Sequence, residues 1–289
     1  MSGSRITTVR LDGAPVRDHI LEGLAARISA AGRPDICLAT VLVGDDGPSR
    51  RYVASKHRTA EQIGIRSVGV ELPVSATQAE VEAAVARLAA DPGVHGILVQ
   101  MPLPDGLDPE PVLALIPADK DVDGLTEASL GRLVRGVPGH VGCTPLGVMR
   151  LLGHYGIATA GRRAVVIGRS TLVGLPMTLL LARKGVDATV TLAHSRTDDM
   201  VAVCREADII VSATGMARSI SVQHTKPGAT LIDVGISRTD GGIVGDVDFD
   251  AVQGVAGGVT PMPGGTGLLT VACLMENTVE AARMQGVRV

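Results

Sequence analysis

The feature that most constrains this chain is an alternation. Short, β-branched apolar runs are followed repeatedly by segments of helical periodicity. Such alternation marks an α/β fold, with parallel strands joined by crossover helices. In the first half, residues 38–43, 67–72 and 96–99 read as strands. Residues 11–31, 48–63 and 77–90 read as helices, the last two closing near Gly64 and Pro92. A helix-and-turn region at 126–152 leads into a second alternating unit, with strands at 164–167, 188–192, 209–211 and 230–234. A last helix spans 267–284. At 289 residues the chain is long enough for two medium domains.

Composition narrows the functions. With 45% hydrophobic and 20% charged residues, wholesale disorder is excluded. A net charge of −3 gives no footprint for phosphate backbones. Only three residues are aromatic, Tyr52, Tyr155 and Phe249, too few for base-stacking platforms or a membrane girdle. Nucleic-acid and membrane partners are therefore not expected. The four cysteines, Cys37, Cys143, Cys204 and Cys273, form no CxxC pair and have no histidine at ligand spacing, so no metal site is expected. Residues 1–13 lack the apolar core of a signal peptide, which suits a reducing cytoplasm.

The strongest chemical signal is Val165-Val166-Ile167-Gly168-Arg169-Ser170-Thr171-Leu172-Val173-Gly174. A β-branched strand runs into a glycine turn and then a helix, an arrangement that brings backbone amides and a helix N-terminus to a pyrophosphate. The run departs from GxGxxG, and by itself it is equally an ordinary packed strand-helix turn. The end of the next strand reads His194-Ser195-Arg196-Thr197 and lacks the acid that would bind a ribose 2′-hydroxyl. Serine and arginine suit a 2′-phosphate, which favours NADP over NAD. Ser195 or Thr197 could also simply cap the next helix. Ser212-Ala213-Thr214-Gly215 and Asp233-Val234-Gly235-Ile236 each follow an apolar strand, where small residues leave room for a nicotinamide and its ribose.

A second constellation is Tyr52-Val53-Ala54-Ser55-Lys56, whose spacing puts Tyr52 and Lys56 on one helical face. Only four of the 27 basic residues are lysines, and lysine can become a base where arginine cannot. Gln100 ends a buried strand just before Met101-Pro102-Leu103-Pro104, a run too rigid to continue it. A buried amide there needs a partner or a ligand. The acidic run Asp119-Lys120-Asp121-Val122-Asp123-Gly124 lacks EF-hand spacing and reads equally as a solvated loop.

In this order the pieces resemble the bifunctional methylenetetrahydrofolate dehydrogenase/cyclohydrolase family: Tyr-x-x-x-Lys, VQMPLP, KDVDG, CTP from Cys143, VIGRSTLVGLP, HSRT, IDVGI, GDV and PGG. The resemblance covers nearly the whole chain. It implies an α/β fold of two domains facing a cleft: a folate domain at 1–122 joined by the C-terminal helix 268–289, and a Rossmann-like NADP domain at 123–267. It implies that Lys56 is catalytic, that Gln100 assists it, that Asp123 holds the pterin and takes part in catalysis, and that Tyr52 stacks on the folate. Pro263, Gly264 and Gly265 would complete the substrate side. Gly168, Arg169, Ser170, Gly174, Ser195, Arg196, Thr214, Gly215 and Ile236 would line the cofactor. Tetrahydrofolate derivatives as substrates and a cytoplasmic homodimer are implied in the same way.

The chemistry favours a lysine held neutral, by desolvation and cationic surroundings, beside a cationic methenyl group. Three places depart from the family pattern: Pro263-Gly264-Gly265-Thr266-Gly267-Leu268-Leu269-Thr270 for PGGVGPMT, Thr126-Glu127 and Ser129 after KDVDG, and His140-Val141-Gly142 before Cys143. They leave open a dehydrogenase without hydrolysis or a specialised paralogue. A silent binding protein is disfavoured by the four intact folate-side residues.

Overall fold

A computed structural model describes residues 6–289; Met1 to Arg5, part of the stretch read above for a signal peptide, lie outside the described residues. In chain order the first elements are β1 (Val9–Arg10), α1 (Gly13–Ala30), β2 (Cys37–Val43), α2 (Gly47–Ile63), β3 (Arg66–Leu72), α3 (Gln78–Ala90) and β4 (Gly96–Val99). Then come α4 (Pro109–Ala114), α5 (Glu127–Arg135), α6 (Cys143–His154), β5 (Arg163–Ile167), α7 (Gly174–Ala182), β6 (Thr189–Ala193), α8 (Met200–Arg205) and β7 (Ile209–Ser212). The chain ends with β8 (Thr230–Asp233), the hairpin β9 (Ser237–Thr239) and β10 (Gly242–Val244), β11 (Gly258–Val259) and α9 (Gly267–Met284). No helix among the described residues is long and apolar enough to cross a membrane.

The described residues divide into two compact units, one of residues 18–143 and 271–289, the other of residues 6–17 and 144–270. The division differs from the sequence reading at both ends. Residues 6–17 fall in the second unit because β1 pairs in parallel with β11, Val9 opposite Gly258. Residues 123–143 fall in the first, where Asn277 of α9 donates to the carbonyls of Val122 and Val141.

In the first unit the parallel sheet runs β3-β2-β4. β2 is buried along its whole length and seats a core of Ala39, Val41, Val81, Val85, Ile97 and Val99. Helix α2 starts where Asp46 accepts from the Ser49 amide at 2.9 Å, and stops at Gly64 in the left-handed conformation. Its buried face carries Val53, Lys56, Ala60 and Ile63, so a lysine occupies a position that the helical period reserves for apolar side chains.

In the second unit six parallel strands are ordered β1-β11-β8-β7-β5-β6. From β5 the chain passes to β6 on one side and then to β7 on the other. The order therefore reverses at the C-terminal ends of β5 and β7, where open α/β sheets bind ligands. Residues 126–152, read as one helix-and-turn region, are two helices, α5 and α6, separated by a loop that holds Gly136 in the left-handed conformation.

Candidate active site

Three of the four folate-side residues meet at the C-terminal end of the first unit's sheet, and the fourth acts on them electrostatically. Tyr52 and Lys56 come from α2, one turn apart, and Gln100 follows β4 directly. Lys56 is only 4% exposed, and its Nζ donates to Gln100 Oε1 at 2.9 Å. The Gln100 amide is fixed from its other end, where Nε2 donates to the Met101 carbonyl at 2.6 Å. The amide expected to need a partner is half-buried and has two. Lys56 Nζ also lies 4.3 Å from the centre of the Tyr52 ring.

Burial pushes the Lys56 ammonium below the ordinary lysine range, while Asp123 and Cys143 pull it upward. Desolvation is thus the cause that the chemistry called for. The expected cationic surroundings are not among its causes, since both neighbours that act on Lys56 favour the charged form. Asp123 shows the reciprocal effect: burial raises its carboxyl and Lys56 counters it. Burial also raises the Cys143 thiol well above its usual value, with Asp123 adding to the rise. Burial thus shifts the amine below, and the carboxyl and thiol above, their ordinary values. A lysine so shifted gives up its proton more readily than an exposed one, as a general base must.

The dinucleotide-type residues gather at the switch point of the second unit. Gly168 follows β5 at φ +120°, and a Cβ there would lie 2.5 Å from the Ala213 carbonyl oxygen. A Cβ on Gly174 would lie 1.9 Å from the Gly168 carbonyl oxygen, so α7 can start against this turn only with glycine. Val173 supplies no side-chain cap to α7; the Leu175 amide donates to the Ser170 carbonyl at 3.0 Å, and Pro176 has no amide hydrogen. Arg169 and Ser170 are exposed beside this turn, as are Ser195 and Arg196 at the end of β6. This backbone cradle, ringed by two arginines and two serines, fits a dinucleotide with an added phosphate. Neither Ser195 nor Thr197 caps α8; Asp199 does, accepting from Ala202. Thr197 instead closes a turn by accepting from the His194 amide at 2.9 Å.

Two residues without a role in the sequence reading organise the neighbouring loops. Asp246 is fully buried, and its Oδ2 accepts from Ser212 Oγ, Thr214 N and Thr214 Oγ1 at 2.7–2.9 Å. Asp233 accepts from the amides of Gly235, Asp246 and Val247. Burial raises Asp233 to about 6 despite those donors. The pair thus fixes the loops that carry Thr214, Gly215 and Ile236. The signal in the sequence was an aspartate at the end of an apolar strand, in IDVGI, and a second one in GDV.

Two domain models of one family match, and together they span most of the chain. The tetrahydrofolate dehydrogenase/cyclohydrolase catalytic domain matches residues 11–123, and the NAD(P)-binding domain matches residues 142–286. The chain belongs to the tetrahydrofolate dehydrogenase/cyclohydrolase family. It is 49% identical over 276 residues to a bifunctional protein FolD of Methanoculleus marisnigri, covering 95% of this chain and 96% of the relative. Identity to its counterpart in Acidiphilium cryptum is 50% over 274 residues, covering 94% and 97%. Among solved structures, the bifunctional FolD enzyme of Campylobacter jejuni superposes with a TM-score of 0.92 at 41% identity, covering 96% and 99%. The Trypanosoma brucei enzyme, solved with NADP cofactor and inhibitor, gives 0.89 at 36%, covering 96% and 98%.

Within the family frame, the three departures have local structural roles. Thr266 Oγ1 donates to the Asp233 carbonyl at 2.8 Å, tying the altered PGGTGLLT loop to the Asp233–Asp246 pair. The Gly264 carbonyl of that loop accepts from the Gly13 amide at 2.8 Å, and Pro263 is exposed while Gly265 is buried. Thr126 caps α5 by accepting from the Ser129 amide at 3.2 Å. His140 is buried, with Nε2 3.3 Å from the Asp119 carbonyl.

Proposed function

We propose that this chain is a bifunctional folate enzyme. It oxidises 5,10-methylenetetrahydrofolate to 5,10-methenyltetrahydrofolate with NADP and hydrolyses the product to 10-formyltetrahydrofolate. The observation that carries the reading is the contact of 2.9 Å between the buried Lys56 and Gln100, in a chain whose matches span both family domains.

When bound, NADP supplies the hydride acceptor. Gly168, Arg169, Ser170, Gly174, Ser195, Arg196, Thr214, Gly215 and Ile236 would hold it, and Ser195 with Arg196 would select its 2′-phosphate. On the folate side, Tyr52 offers the one aromatic face for stacking on the pterin, Asp123 accepts from the ring, and Pro263 to Gly265 border the substrate. A charged ammonium beside a methenyl cation would oppose it; a neutral Lys56 does not. In hydrolysis Lys56 Nζ takes a proton from water as the water oxygen bonds to the methenyl carbon. The carbon–N5 bond then breaks as the adduct's hydroxyl loses its proton to solvent and N5 takes the proton held by Lys56, leaving the formyl group on N10. Gln100 holds one Lys56 N–H throughout, which keeps the amine lone pair oriented. We assign the working form as a cytoplasmic homodimer, on the family resemblance.

The test mixes protein, methylenetetrahydrofolate and NADP and follows methenyl absorbance. Formation followed by decay faster than the uncatalysed rate is the expected result. Accumulation without accelerated decay would reduce the protein to a dehydrogenase, and no change would leave a binding protein. With NAD in place of NADP, slower formation is expected.

A further inference from the structure

Each residue of the KDVDG run is committed to a definite task. Lys120 is 7% exposed, and its Nζ donates to the carbonyls of Ala89 and Asp91 at 3.0 and 2.7 Å. Asp121 is 1% exposed and its carboxylate accepts from the amides of Leu125 and Thr126. Val122 is fully buried, pressed so closely on β4 that a Cβ at Gly96 would lie 2.5 Å from its Cγ1. Gly124 turns at φ +67°, where a Cβ would meet the Gly142 amide nitrogen at 2.6 Å. Four of the five residues build the loop. Asp123 is left, and its charge bears on Lys56.

One side chain outside the run clamps this loop to the segment that carries Cys143. Asn277, in the middle of α9, is 5% exposed. Its Nδ2 donates to the Val122 carbonyl at 2.8 Å and to the Val141 carbonyl at 2.9 Å, which uses both hydrogens of the amide. The Val122 carbonyl also accepts from Cys143 Sγ at 3.4 Å. Two neighbouring loops thus meet on one NH₂ group of a helix far along the chain. The residues next to its two acceptors are Asp123 on one side and Gly142–Cys143 on the other.

We propose that Asn277 is a positioning residue for Asp123, setting its carboxyl against Lys56 and the bound pterin. The inference rests on the reading of Asp123 as a substrate-holding residue. Asparagine suits the task because both acceptors are carbonyls: a side chain with two N–H bonds on one atom satisfies them together. Leucine of similar volume leaves both carbonyls without this donor, and aspartate turns an oxygen toward them.

The experiment measures steady-state kinetics of methylenetetrahydrofolate oxidation, together with NADP affinity, for wild type, Asn277→Leu, Asn277→Asp and Asp123→Asn. The expected result is a KM for the folate raised about tenfold in both Asn277 variants and in Asp123→Asn, with kcat falling much less and NADP affinity unchanged. Asn277→Asp, which can donate only when protonated, should lose part of its defect as pH falls. A loss of kcat in proportion to the unfolded fraction, with folate KM unchanged, would make Asn277 merely structural and overturn the proposal. A raised folate KM in Asp123→Asn alone would also overturn it. If Asp123→Asn itself leaves the folate KM unchanged, the assignment of Asp123 fails first and this inference falls with it.

Discussion

A lysine that is 4% exposed gives up most of its hydration, and here one amide oxygen at 2.9 Å replaces it. Of the effects on Lys56, burial outweighs the opposing pull of Asp123 and Cys143, so the amine titrates below the ordinary lysine value. Much of this was legible in the sequence. Tyr52 and Lys56 share a helical face by spacing, and a buried Gln100 had to find a partner. What spacing could not show is which groups surround the amine, because Asp123 and Cys143 reach it from loops far along the chain. That is why the expected cationic surroundings were wrong. Tyr52 is the only aromatic residue in the first unit, and no other side chain there can replace its ring. Tyr52→Ala should therefore raise the Kd for a folate ligand by about tenfold, in line with about 1–3 kcal/mol for a stacked ring. NADP affinity, measured by calorimetry, should stay within twofold.

The end of β8 and the segment after β10 carry the opposite case, two aspartates taken out of water to hold loops. Asp233 has an ordinary carboxyl value of 3.8 when unfolded and is raised to about 6 when folded. The folded state therefore binds more protons than the unfolded state between these values. Stability from this group is complete below pH 3.8 and is lost as pH rises through about 6. The linkage amounts to roughly 3 kcal/mol. Asp233→Asn removes the titration, so the difference in Tm between wild type and variant should move in the variant's favour from pH 4 to pH 7. A difference independent of pH would show that Asp233 does not titrate in this window. The strands themselves were readable from their β-branched runs, as was the glycine turn before α7. The aspartate pair was not, because a sequence shows an acid at the end of a strand but not the amides that converge on it. The start of α8 was misjudged for a similar reason. Thr197 and Asp199 are both good capping residues, and the turn closed by His194 and Thr197 decided between them.

On the scale of the whole molecule, alternation of strand and helix predicted the α/β class, and the ordered motifs predicted the family. The limits of the units were harder to read. β1 is two residues long, too short for any periodicity, yet its pairing with β11 draws residues 6–17 into the second unit. The hydrogen bonds of Asn277 likewise span more than a hundred positions, beyond the reach of any local pattern. The proposed function joins these levels: a lysine on the apolar face of α2, pushed below its ordinary value by burial, would perform the hydrolytic half of a two-step reaction. It is tested most directly by the decay of 5,10-methenyltetrahydrofolate from pH 6 to pH 10, with wild type, Lys56→Met and no enzyme measured in parallel. The predicted result is a wild-type rate that rises above the uncatalysed rate with an inflection below 10.5, while Lys56→Met follows the uncatalysed rate throughout. Hydrolysis by Lys56→Met at the wild-type rate would contradict it.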